Sequence, residues 1–91
     1  MSIFDFKEPL AFEWDKGNQD KSRAKHGVSN IECESAFTSD ILFLFHDAKH
    51  SIYEDRYVLI SRVSSVPLFI VFTVRDSIIR VISVLRILIK V

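Results

Sequence analysis

One cysteine, two glycines and no net charge are the scarcities that shape this chain of 91 residues. A lone thiol, Cys33, cannot close an intramolecular disulfide, and one Cys with three scattered His matches no zinc-binding spacing. The expected setting is the reducing cytoplasm. Gly17 and Gly27 cannot make a glycine-rich phosphate loop, which excludes nucleoside-triphosphate chemistry of that kind. No HExxH and no paired-carboxylate cluster occurs, so zinc-peptidase and two-metal nuclease chemistry both lack their ligands. With 12 Lys and Arg against 12 Asp and Glu, the chain also lacks the basic excess by which a generic nucleic-acid coat displaces counterions. Long apolar runs are missing as well. The longest charge-free run, Val63 to Val74, is too short for a bilayer and contains Pro67. Asp5, Lys7 and Glu8 interrupt Met1 to Ala11, unlike the apolar region of a signal peptide. Neither a cofactor nor a membrane partner is expected.

What is present is a core-forming composition. Hydrophobic residues make up 48% and charged residues 26%, the balance of a folded domain. The length allows one hydrophobic core and no second domain. Eight Phe, one Trp and two Tyr supply the bulky side chains that so short a chain needs inside. Trp14, beside Phe12, reads as such a core residue rather than as an exposed platform for a base. Charge is unevenly placed. Residues 51–91 hold Arg56, Arg62, Arg75, Arg80, Arg86 and Lys90 against Glu54, Asp55 and Asp76. Arg suits bidentate phosphate contacts, so any RNA-facing surface should come from that half.

Helix signals come first along the chain and strand signals second. Phe12-Glu13-Trp14 reads as a short strand, and Asp15 as the N-cap of a helix from Lys16 to His26, with Gly27 at the left-handed C-cap position. Ala24 is the only apolar residue of that segment, so it offers no face to bury. Ser29-Asn30-Ile31-Glu32 is a capping box opening a second helix, in which Cys33, Ala36 and Phe37 recur at helical spacing and Val28 with Cys33 forms a hydrophobic staple. From Ile41 onward, Ile41 to Phe45, Tyr53 to Val63, Leu68 to Arg75 and Ser77 to about Leu85 read as strands, the last three joined by links short enough for hairpins. The expected fold class is α+β: two N-terminal helices packed on one side of a twisted, mainly antiparallel sheet. Arg80 and Arg86 would share a face of a regular last strand. The apolar tail, residues 85–91, fits a strand or a helix, and is expected to pair with another copy of the chain or to pack against a partner.

The polar residues that remain are an Arg-rich set with a Lys-His pair and one Glu, a toolkit for cleaving RNA without metal. When a 2′-hydroxyl attacks its own phosphate, a base must take its proton, cations must hold the phosphorane charge, and an acid must protonate the leaving 5′-oxygen. His26 or Glu54 can take a proton, Arg56, Arg75 and Arg80 can hold charge, and Lys25 or His26 can donate. Spacing alone leaves a plainer reading open: His26 would favour a helix C-terminus, and Glu54 with Arg56 would form a surface ion pair.

Several short motifs occur in a fixed order: Phe12-Glu13-Trp14-Asp15, Lys25-His26-Gly27-Val28-Ser29, Ala36-Phe37, Glu54-Asp55-Arg56-Tyr57, Val71-Phe72-Thr73-Val74-Arg75 and Arg80-Val81-Ile82-Ser83. In that order the chain resembles the BrnT toxin family. The resemblance covers residues 12–83 and implies one toxin domain over residues 1–91, with 1–11 as an N-terminal extension and 85–91 as an atypical apolar tail. It implies a RelE-like fold and a growth-inhibiting endoribonuclease of a type II toxin-antitoxin pair. Its partners would be RNA and a BrnA-like ribbon-helix-helix antitoxin, through which it would reach operator DNA. Lys25, His26, Glu54, Arg56, Arg75 and Arg80 fall on the family's recurring polar positions. Where the family reads Ser-Ala-Arg, this chain reads Ser83-Val84-Leu85, so that cation is absent or displaced to Arg86. The departure gives a second reading, a catalytically decayed toxin that binds its antitoxin and contributes to operon control.

Overall fold

A computed structural model describes residues 10–19 and 27–87. Among them a single α-helix, α1 (Asn30–Ala36), precedes four strands: β1 (Asp40–His46), β2 (Tyr57–Val63), β3 (Val66–Arg75) and β4 (Ile78–Arg86). The strands pair in sequence order as an antiparallel meander. β2–β3 and β3–β4 are joined by two-residue turns, Ser64-Ser65 and Asp76-Ser77, all four with positive φ. Such backbone matches the right-handed twist of the flanking strands. No described helix is long and apolar enough to cross a membrane.

Helix α1 starts where its capping box places it. The Glu32 amide donates to Ser29 Oγ at 3.2 Å, and the Glu32 carboxylate accepts from the Ser29 amide at 3.4 Å. Cys33, Ala36 and the C-cap Phe37 are buried against Leu59, Leu68, Ile70 and Phe72 of the sheet. Phe37 anchors this packing, with its ring edge-on to Phe72 at 4.9 Å and to Phe12 at 5.3 Å between centroids. Burial among apolar groups, with Glu32 and Glu34 nearby, pushes the Cys33 thiol up to about 12. The thiol is therefore a core atom and not a nucleophile.

The expected pair of N-terminal helices packed on the sheet is corrected by this structure, which shows one α-helix and a four-stranded sheet among the described residues. Lys16 to Gln19, assigned to a first helix by the sequence, form a turn; residues 20–26 of that segment lie outside the described residues. The physical reason lies in side chains that bond the backbone locally or across to the sheet. Asp15 Oδ1 accepts from the Gly17 amide at 2.7 Å. The nearly buried Asn18 accepts from the Asp15 amide and donates to the carbonyls of Glu13 and Val81. A segment without an apolar face is thus fixed to the sheet edge by an amide. Phe12 joins the same edge through an isolated parallel bridge to Ile79.

Two register details decide which side chains share a face. β2 begins at Tyr57 rather than Tyr53, because residues 47–56 form a loop closed by their own polar groups. In β4 the pairing shifts from Val71↔Ser83 to Phe72↔Val81, which leaves Ile82 as an extra residue. Alternation is inverted there: Ile79, Val81 and Val84 all face the core. Arg80 and Arg86, expected on one face, therefore lie on opposite faces. Ile87 still donates to the Pro67 carbonyl at 2.9 Å, so the chain follows β3 past Arg86. The tail's expected pairing with another copy concerns mainly residues 88–91, which lie outside the described residues.

Candidate functional site

The β1–β2 loop is built around one hydroxyl. Asp47 N–H donates to the Arg56 carbonyl at 2.8 Å and closes the loop's neck. Inside it, Ser51 Oγ donates to the Asp47 carbonyl at 2.6 Å and accepts from the Arg56 amide at 2.9 Å. Thr73, buried on β3, ties the loop to the sheet by donating to the Asp55 carbonyl at 2.7 Å. The loop surrounds a cleft of about 210 Å³ lined by Lys49, His50, Ile52, Tyr53, Glu54 and Arg56.

Glu54 is not paired with Arg56. It holds Arg75, the last residue of β3, with Nε at 3.1 Å and Nη2 at 2.9 Å. Both bonds fall on Oε2, so Oε1 has no partner among the described residues. The Arg56 guanidinium has no hydrogen-bonding or carboxylate partner among the described residues, although its residue is half-buried in the cleft wall. The other described arginines are all engaged: Arg62 with Asp40, Arg75 with Glu54, Arg80 with Glu13 and Asp15, and Arg86 with Glu32.

Arg80 lies opposite Thr73 in register and so on the same face as Arg75. Its guanidinium is nevertheless taken by carboxylates of the N-terminal segment: Nη1 reaches Glu13 at 2.6 Å and Asp15 at 2.7 Å, and Nη2 reaches Asp15 at 2.9 Å. Only 16% of the side chain is exposed. Gly17 packs so closely on this cluster that a Cβ there would stand 3.0 Å from the guanidinium. Arg86 turns to the helix side, donating to the Gly27 carbonyl and to Glu32, and so cannot serve as a displaced cation beside Arg80. Leu85 pairs with Phe69 on the opposite face.

Of the candidate residues, the structure brings Glu54 and Arg56 to one cleft and pairs Glu54 with Arg75, while Arg80 serves a clamp. Lys25 and His26 lie outside the described residues. Glu13, Asp15 and Asn18 were not singled out as site residues by the sequence, since their partners stand 63 to 67 positions away. The loop's Asp47–His50 pair was also missed, although its spacing of three residues was a readable signal. Trp14 is half-buried against the core, and its indole N–H donates to Glu34 at 2.7 Å.

The clamp has a pH signature. Hydrogen bonds from Arg80 first, and from the Gly17 amide next, hold the Asp15 carboxyl at about 2 against an ordinary 3.8. A carboxyl held low when folded stabilises the fold fully above its ordinary value, and that contribution disappears as pH falls from there through about 2. Asp15→Asn should therefore flatten the fall in melting temperature between about pH 5 and about pH 2. Equal slopes for variant and wild type would refute the assignment.

A family model described as the ribonuclease toxin BrnT of type II toxin-antitoxin systems matches residues 14–87. No curated protein and no solved structure matches the chain.

Proposed function

Because this chain belongs to the BrnT family of ribonuclease toxins of type II toxin-antitoxin systems, we propose that it is an endoribonuclease that cleaves RNA by 2′-hydroxyl attack without metal, under the control of a BrnA-like antitoxin. The observation that carries this reading is the cleft in which Glu54, fixed through one carboxylate oxygen by Arg75, stands beside Arg56, whose guanidinium has no partner among the described residues. Glu54 Oε1 takes the proton of the attacking hydroxyl. Arg56 holds the charge that grows on the phosphorane oxygens, and Arg75 orients the base and adds a second positive charge. Groups preorganised in this way act where charge develops, with little reorganisation at the moment of reaction. Lys25 and His26 remain in the proposed site through the family motif.

Purified protein incubated with RNA in EDTA is expected to yield fragments ending in 2′,3′-cyclic phosphate, the product of 2′-oxygen attack. Cleavage that appears only on adding Mg²⁺ would overturn the mechanism.

One observation favours the second reading, a toxin that keeps antitoxin binding without catalysis. Both cations of β4 are ion-paired, and the resemblance implies an arginine where this chain has Leu85. In that case expression of the folded chain alone leaves growth unaffected. Under the first reading it arrests growth.

A further inference from the structure

Cleavage by a 2′-oxygen needs a proton donor as well as a base, because the departing 5′-alkoxide is a poor leaving group. Among the described residues, imidazoles occur at His46 and His50. His46 is occupied: its Nε2 lies 3.0 Å from Asp55 and its ring packs on Tyr57. His50 also has one ring nitrogen on a carboxylate, but it stands elsewhere. It lines the cleft with Glu54 and Arg56, and its side chain is 61% exposed. Its Nδ1 lies 2.8 Å from Asp47 Oδ2, and its amide donates to the Asp47 carbonyl at 3.2 Å. The other ring nitrogen, Nε2, has no partner among the described residues.

A carboxylate on Nδ1 keeps the proton there and presents Nε2 as the exchanging atom, the orientation an acid-base histidine requires. The hydrogen bond to His50 also holds the Asp47 carboxyl below its usual range, so near neutral pH the orienting group is an anion. Asp47 is itself fixed, since its backbone N–H and C=O are taken by Arg56 and Ser51 at the neck of the loop. Lys49, with no side-chain partner among the described residues, adds a second free cation to the cleft beside Arg56. Tyr53, 99% exposed at the same cleft, offers a ring on which a base can stack.

We propose that His50 is the catalytic acid of RNA cleavage and that Asp47 is the residue that positions it. This rests on the ribonuclease reading above. In the reaction the 2′-oxygen forms a bond to phosphorus and its proton passes to Glu54. The bond from phosphorus to the 5′-oxygen breaks, and that oxygen takes the proton of His50 Nε2. The products are a 2′,3′-cyclic phosphate and a 5′-hydroxyl. Solvent then reprotonates His50 and deprotonates Glu54, so atoms and charge balance.

The test uses a leaving group that needs no acid. A short RNA is cut by the wild-type chain to map its cleavage site, then synthesised again with sulfur replacing the bridging 5′-oxygen there. His50→Gln is expected to slow cleavage of the natural RNA about 100-fold or more, yet to cut the sulfur-bridged RNA at close to the wild-type rate. Asp47→Asn should show the same pattern with a smaller loss. Arg56→Ala should slow both substrates. A folded His50→Gln chain that slows both equally, or that cuts natural RNA as fast as wild type, overturns the assignment alone. A wild-type chain that cuts neither RNA in EDTA overturns the ribonuclease reading together with it.

Discussion

Arg56→Ala is expected to lower RNA cleavage about 100- to 1,000-fold, the usual effect of removing one preorganised charge-stabilising donor, while melting stays close to that of the wild type. The second half of that expectation comes from the structure. The Arg56 guanidinium touches no carboxylate among the described residues, so truncating it leaves no orphaned charge behind. Arg80→Ala is the informative contrast. It strips Glu13 and Asp15 of their shared partner and removes the side-chain clamp between the N-terminal segment and β4, leaving the backbone bridge and Asn18, so stability and activity should fall together. Comparing cleavage rates and thermal melts of both variants checks this. An Arg56→Ala chain that cleaves like the wild type would remove Arg56 from the site.

The largest loss of stability is expected from Phe37→Ala, about 3–5 kcal/mol from lost apolar burial and the cavity left behind. Phe37 is fully buried where α1 ends and is the ring that links Phe12, α1 and Phe72. A domain of this size has only about 5–15 kcal/mol in total, so the variant should be close to unfolding at physiological temperature. Phe37→Leu, which keeps most of the apolar volume, should lose less. Urea denaturation measures both, and a Phe37→Ala loss under about 1 kcal/mol would show that the helix and sheet are held together elsewhere.

Local chemistry was legible in the residues wherever cause and effect lie a few positions apart. Ser29 and Glu32 cap α1 because a hydroxyl and a carboxylate three residues apart reach each other's amides. Val28, Cys33 and Ala36 are buried as their spacing requires. The segments from Ile41 onward are strands, with ends shifted by up to four residues, since rows of β-branched and aromatic side chains suit a pleated surface. Glu54, Arg56 and Arg75 were legible as polar residues suited to phosphate chemistry. Their pairing was not. The expectation joined Glu54 to Arg56, two positions on, whereas the structure joins it to Arg75, 21 positions on, because the loop folds back over the end of β3.

By itself, then, the sequence determined the helix start at Ser29, the hairpin-rich second half and the stock of groups suited to phosphate chemistry, because each depends on neighbours along the chain. Tertiary structure decided how those groups are used. One extra residue in β4 sends Arg86 to the helix side and leaves Arg80 on the other, a change of parity that no local periodicity encodes. Asn18, Asp15 and Glu13 meet β4 across more than sixty residues of chain, which turns a cation suited to RNA into a clamp. Arg56 stays unpaired for the converse reason: the fold brings no carboxylate to it among the described residues, and a guanidinium without a protein partner is the one able to receive a phosphate.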